Sequence, residues 1–261
     1  MSEGTLQFGT PRDAEGGNAS SSWSWLYKVG ATSALIVVAF IPVQIILFVA
    51  WPPPGFQPTA SNVIAWFTLF NKHALVGLLQ LDLLLVVDEI LGVPIILALY
   101  VALRRASESV MAIATALGLV GIAAYLSSNT AFAMLFLSQQ YATATTEAQR
   151  SQFEAAGQAM LATYTGTAFQ VNYVVGAFVM VMTALVMLRS KIFSNATAYI
   201  GILANVIGLG LYVPRIGIFL SVASVPFLAV WNVLIARRLF QLGRPQELAR
   251  RNAPDFTADD T

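Results

Sequence analysis

The chain has no cysteine and a single histidine, His73. The first absence excludes disulfides, thiolate metal sites and a cysteine nucleophile. The second excludes bis-histidine haem, HExxH zinc chemistry and a clustered-histidine metal site within one chain. Charge is scarce too: Asp, Glu, Lys and Arg make up 10% of the 261 residues, where soluble domains carry about 25%. A net charge of +1 gives no reason to expect nucleic acid or another acidic polymer as partner. The N-terminus lacks the basic stretch and short apolar core of a secretory signal. No Ser/His, phosphate-binding or metal-ligand motif is present, so no cofactor, metal or catalytic residue is expected.

What is there is apolar. Hydrophobic residues make up 57% of the chain and the mean hydropathy is +0.71. Lipid excludes charge because nothing in it solvates an ion, and it demands that backbone groups bond to each other. An all-α, polytopic bundle of six transmembrane helices in a lipid bilayer follows. The expected spans are 29–51, 78–103, 106–127, 167–188, 195–212 and 215–236, within a domain of residues 23–243. Residues 1–22 and 244–261 are polar and are expected to be disordered tails.

The segments between spans carry their own signals. Trp23, Trp25, Tyr27 and Lys28 form an interfacial anchor, and Pro52, Pro53 and Pro54 stop the first span. Residues 60–70 are expected to lie flat as an interfacial helix, with Trp66, Phe67 and Phe70 in the aromatic belt. Thr146 with Gln149 three residues later is a capping-box signal, and Phe153, Ala156, Met160 and Tyr164 recur at helical spacing. An external amphipathic helix is therefore expected between spans three and four. Residues 128–145 fit either an extension of the third span or a re-entrant edge. Small residues, among them Ala114, Gly118 and Gly121 on the third span and Gly201, Ala204 and Gly208 on the fifth, invite close helix neighbours.

Both termini fall on one side, which also carries eleven of the fourteen basic residues; the other side holds Lys72, Arg150 and Arg215. The positive-inside rule then puts the termini in the cytoplasm.

The run SQQYATATTEAQRSQFEAAGQAMLATYTGTAFQVNYVVGAF, with LLQLDLLLVVDEILGVPIILALYVALRR upstream and WNVLIARRLFQLG near the end, resembles bacterial integral membrane proteins of the domain-of-unknown-function family 4386. The resemblance covers roughly residues 28–243 and implies a bacterial six-helix inner-membrane protein, with no catalytic residue to carry over.

Three carboxylates stand out in the second span: Asp82, Asp88 and Glu89. A charge at mid-membrane costs about 2.5 kcal/mol or more, so these groups call for partners, protonation or water. Asp82 and Glu89 are seven residues apart, hence on one helical face, while Asp88 points about 100° away. Such a stripe can line a funnel leading down to Glu89. Pro94 and Pro226 fall about 15 Å from the arginines that end their spans and are expected to kink their helices there. Gln170, Asn172 and Tyr173 on the fourth span and Arg215 at the start of the sixth lie at the carboxylates' depth. Asn205 is expected to be helix-to-helix glue, and His73 to lie at the surface.

These residues support a non-enzymatic protein with an outward-facing pocket for a small polar or cationic ligand or ion, as a sensor, carrier or accessory subunit. A second reading is a structural or assembly protein in which Arg215 clasps the carboxylates; a third is an intramembrane enzyme using Asp88 and Glu89 as acid and base. A second copy or a membrane-complex partner fits the first two.

Overall fold

The computed structural model describes residues 12–244, with side chains from Trp23 onward. Residues 1–11 and 245–261, the outer parts of the expected tails, lie outside the described residues. Every regular element described is helical: α1 Arg12–Ala50, α2 Ala60–Lys72, α3 Ala74–Gln80, α4 Leu83–Leu103, α5 Glu108–Ser128, α6 Ala131–Thr143, α7 Glu147–Tyr164, α8 Thr167–Arg189, α9 Asn195–Gly208 and α10 Gly217–Leu242, with a 3₁₀ turn over Leu209–Tyr212. Six of these stretches are long and apolar enough to cross a membrane.

The spans stand in a ring in chain order. Helix α1 packs on α4, α4 on α5, α5 on α8, α8 on α9, α9 on α10, and α10 closes back on α1. Ser24 Oγ donates to the Gly243 carbonyl at 2.6 Å, fastening the first and last helices at the end that holds the termini. Small residues set the closest approaches, as expected. A side chain at Gly30 would come 2.7 Å from Ala98 Cβ, and one at Gly201 would come 2.5 Å from the Trp231 ring. The outward faces stay apolar and exposed, as at Ile46, Val49, Phe178, Phe219 and Val222. In a bilayer that shell meets lipid tails.

Burial divides into two clusters. The first fills the terminal half of the ring, around Ala31, Leu99, Met111, Met187, Trp231 and Ile235. The second lies at the opposite end, in a headpiece made by α2, α3, α6 and α7, around Val63, Trp66, Phe67, Phe70, Met134 and Leu161.

The headpiece revises several expectations. Trp66, Phe67 and Phe70 are 0 to 2% exposed, so they form its core rather than an aromatic belt; α2 finds α6 and α7 to bury its apolar face against, and that burial outweighs an interfacial position. Residues 131–143 continue the third span as α6 after a break at Asn129–Thr130, which selects the extension over the re-entrant edge. Helix α7 starts with both hydrogen bonds of the capping box at Thr146 and Gln149.

Other boundaries shift as well. Helix α1 begins at Arg12, inside the expected N-terminal tail, because prolonging an existing helix avoids the cost of a new nucleus. The second span is broken: α3 ends at Gln80, and Asp82 adopts a left-handed conformation with φ 63° before α4 starts. Fully buried Gln80 holds this corner, its Nε2 donating to the carbonyls of Leu47 and Trp51 at 2.9 and 2.6 Å. Leu47 lies in the last turn of α1, where its carbonyl also accepts from the Trp51 amide at 2.9 Å, and Trp51 follows the helix, so its carbonyl has no helical donor. Pro94 and Pro226 lie inside continuous α4 and α10, and Pro42 does the same in α1.

Candidate functional site

Between the two apolar clusters lies a polar layer, and the second span supplies its acids. Asp82 caps the junction of α3 and α4 and accepts a hydrogen bond from the Tyr164 hydroxyl at the end of α7. Asp82 precedes the spanning helix; burial pushes its carboxyl up from the ordinary 3.8 to about 6, with the Tyr164 hydroxyl opposing. Asn129, in the break between α5 and α6, donates to the Leu81 carbonyl at 2.9 Å and accepts from the Ala131 amide at 3.1 Å, locking that corner from the other side.

Glu89, two turns into α4, accepts from Asn172 Nδ2 of α8 at 2.8 Å. Helix α5 stands beside both, and Gly121 lets the amide through. A side chain there would come 3.0 Å from Asn172 Oδ1, tighter than an ordinary contact. Tyr125, one turn further along α5, is 1% exposed, and its hydroxyl has no hydrogen-bond partner. The carboxyls of Asp82 and Glu89 lie near it, and the side chains of Asp82 and Asn129 approach the hydroxyl without meeting strict hydrogen-bond geometry. The neighbouring acid, Asp88, has a buried Oδ1 with no partner.

A row of rings crosses the layer. Phe56 stacks on Tyr164 at 5.5 Å, Tyr164 meets Phe169 at 6.4 Å, Phe169 stacks on Tyr173 at 6.1 Å, and Tyr173 meets Tyr212 edge-on at 6.0 Å.

The expected residues therefore separate into groups. Glu89 and Asn172 are bonded, and Asp82 lies near them across Tyr125. Gln170 and Tyr173 instead tie α8 to the fifth and sixth spans. Tyr173 donates to the Gly208 carbonyl at 2.8 Å and lies 3.0 Å from Ser221 Oγ, and Gln170 accepts from the Tyr212 hydroxyl at 2.6 Å. Arg215 is an exposed turn residue with φ 70°, and it forms no ion pair with any carboxylate among the described residues. The expected clasp is replaced by the Asn172 amide, because α4 packs on α1 and α5 rather than against the start of α10.

Two further expectations change. The straight stripe from Asp82 to Glu89 is interrupted, because the left-handed Asp82 breaks the helical phase that the seven-residue spacing assumed. Asn205 donates to the Gly201 carbonyl of its own helix at 2.8 Å, not to a neighbour. A cleft of about 550 Å³ opens at the bend between α7 and α8, but of the expected site residues it touches Gln170 alone, and the carboxylates do not line it.

Reasoning from sequence missed Tyr125 and Tyr164 as site residues. Tyr164 falls in a row of apolar residues at helical spacing, although a hydroxyl buried at a helix end needs a partner. Tyr125 falls in the last turn of the expected third span, 106–127, where a tyrosine reads as an ordinary interfacial anchor.

The chemistry follows from the donors. Tyr164 and Asn172 are neutral, and no basic side chain bonds to Asp82, Asp88 or Glu89 among the described residues. Such a layer offers negative charge and hydroxyl oxygens to a positive guest. Among the described residues no group of three His, Asp or Glu side chains has the arrangement of a metal site. No protein-family model, no curated protein and no solved structure matches this chain.

Proposed function

We propose that this chain is a non-enzymatic multi-pass protein of the bacterial inner membrane, with both termini cytoplasmic, and that its polar layer takes up a proton or a small cation from the headpiece side. The observation that carries the reading is Glu89 in the spanning helix α4, bonded by one neutral amide and by no basic group. A carboxylate at that level is costly without a counter-charge, so a positive guest is what it selects. The Tyr125 hydroxyl, which has Glu89 among its charged neighbours, adds a further oxygen, and Asp88, next in the chain, holds a buried Oδ1 with no hydrogen bond.

The orientation rests on charge. Lys28, Arg104, Arg105, Arg189, Lys191, Arg237, Arg238 and Arg244 belong to the terminal end, and Lys72, Arg150 and Arg215 to the headpiece end. That asymmetry favours a cytoplasmic terminal end and makes the headpiece, with α7, external. The resemblance to domain-of-unknown-function family 4386 supports the bacterial membrane. A sensor or a carrier both fit such a site, and loss of the Arg215 clasp removes the main support for a purely structural role.

The test is the thermal stability of purified protein, read across pH and across sodium, potassium and tetramethylammonium at constant ionic strength. A cation at ten times its Kd stabilises by about 1.4 kcal/mol, or roughly 2–6 °C in Tm for a chain of this size. The Asp88→Asn, Glu89→Gln variant keeps the Asn172 bond, because Gln retains an acceptor oxygen, and loses the response. A variant that responds as the wild type does refutes the proposal.

A further inference from the structure

A second cavity, of about 370 Å³, lies at the opposite end of the bundle from the headpiece. Its rim is basic, with Lys191 from the turn between α8 and α9 and Arg237 and Arg238 from the last turns of α10. Its floor is apolar, formed by Ile192, Phe193 and Leu234. The cavity is independent of the carboxylate layer and shares no residue with it.

Three features set its chemistry. Arg238 is already oriented, its Nε donating to the Ile192 carbonyl and its Nη1 to Gln241 Oε1 at 2.8 Å. Lys191 and Arg237 are exposed and carry no ion pair among the described residues, so their charges are free for a guest. The amino end of α9 opens beside them: Ser194 caps it through the Thr197 amide at 3.2 Å, and its first intrahelical bond is Ala198 to Ser194. That end adds partial positive charge to the rim. The whole arrangement suits a phosphate oxyanion.

The surface leading away from the rim distinguishes a lipid from a free ion. On α10, Phe227, Val230 and Leu234 follow one another at three- and four-residue spacing up to Arg237, and Phe227 and Val230 are 37 and 48% exposed. This apolar row runs from the basic rim into the depth of the membrane, as acyl chains do below a headgroup. Basic pockets between spans at a membrane face suit anionic headgroups.

We propose that this cavity binds the phosphate headgroup of an anionic phospholipid, with its acyl chains along the exposed row of α10.

The test uses the full chain in detergent, titrated with phosphatidylglycerol or phosphatidylcholine and followed by native mass spectrometry for retained lipid. Phosphatidylglycerol is expected to be retained in preference to phosphatidylcholine. The Lys191→Gln, Arg237→Gln variant is expected to weaken retention about 30-fold, at roughly 5-fold per charge. A Lys28→Gln, Arg105→Gln variant removes the same charge at the same end outside the cavity and is expected to retain the lipid as the wild type does. Equal losses in the two variants would mean diffuse attraction and overturn the site. In a parallel arm, inorganic phosphate at 100-fold excess is expected not to displace the lipid; displacement would assign the cavity to free phosphate and overturn the lipid reading. Thermal unfolding of both variants without lipid separates a binding loss from a folding loss: wild-type Tm with weakened retention supports the site, and a lowered Tm shared by Lys28→Gln, Arg105→Gln overturns it.

Discussion

The bond between Asn172 and Glu89 can be weighed by a double-mutant cycle with Asn172→Ala and Glu89→Leu. Asn172→Ala removes the only donor that Glu89 has among the described residues and leaves a carboxylate in the spanning helix alone. A bond to a charged group contributes about 1.5–3 kcal/mol in soluble proteins, whereas interhelical bonds in membranes average about 0.6 and reach about 1.7 kcal/mol. The charge argues for the upper end, so the expected loss is about 1–2 kcal/mol. Glu89→Leu acts in two opposed ways. It relieves a charge that costs about 2.5 kcal/mol at mid-membrane, and it strands the Asn172 amide at about 1–3 kcal/mol. The single variant should therefore lie within about 1 kcal/mol of the wild type. In the Glu89→Leu background, Asn172→Ala no longer breaks a bond, and its cost should vanish or reverse. The expected coupling is at least about 1–2 kcal/mol, well above the few tenths typical of independent sites. The assay is reversible unfolding in mixed micelles, with each variant followed by helical circular dichroism. Asn172→Ala costing the same in both backgrounds would refute a paired site and return both residues to ordinary packing.

Two further outcomes follow from the packing and the titration. Gly201→Ala places a methyl 2.5 Å from the rigid, buried Trp231 ring. Overpacking of this kind costs about 1–3 kcal/mol and outweighs the roughly 0.5–1 kcal/mol gained by replacing glycine in a helix. The Tm should fall, Gly201→Ala with Trp231→Leu should regain it, and an unchanged Tm would show that α9 and α10 are not that close. Asp82 titrates at about 6 when folded and near its ordinary 3.8 when unfolded, so between those values the folded state holds the extra proton. Stability then falls as pH rises through that window. Unfolding measured from pH 3 to pH 7 should show this slope in the wild type and a flatter profile in Asp82→Asn; identical profiles would mean that Asp82 is solvated.

The sequence was most legible where one physical demand acted alone. Long apolar runs in a medium without water must be helices, and four of the six expected spans begin and end within five residues of the observed helices, while α1 starts earlier and α10 ends later. The capping box at Thr146 was legible for a similar reason, since it is a local bond between neighbours in the chain. Legibility failed where two environments suit the same residues. The aromatics of α2 fit an interface or a core equally well, and only the arrival of α6 and α7 decides. The break at Asp82 was hidden because Leu81 and Leu83 on either side read as continuous span. Arg215 was the nearest cation in chain depth, but depth says nothing of position around the ring, and Asn172 stands closer there.

The ring has one further consequence. Since each spanning helix neighbours the next in the chain and Ser24 meets Gly243, the topology is a circle with a single cut. Nothing in the packing requires the cut to lie between α10 and α1. A circular permutant that joins those two helices and opens the short turn between α6 and α7, at Ala144–Thr146, keeps every helix beside its present neighbours and moves the new ends to the headpiece. The polar layer would then be assembled by a chain that makes α8 before α4, so Asn172 would wait for Glu89 rather than the reverse.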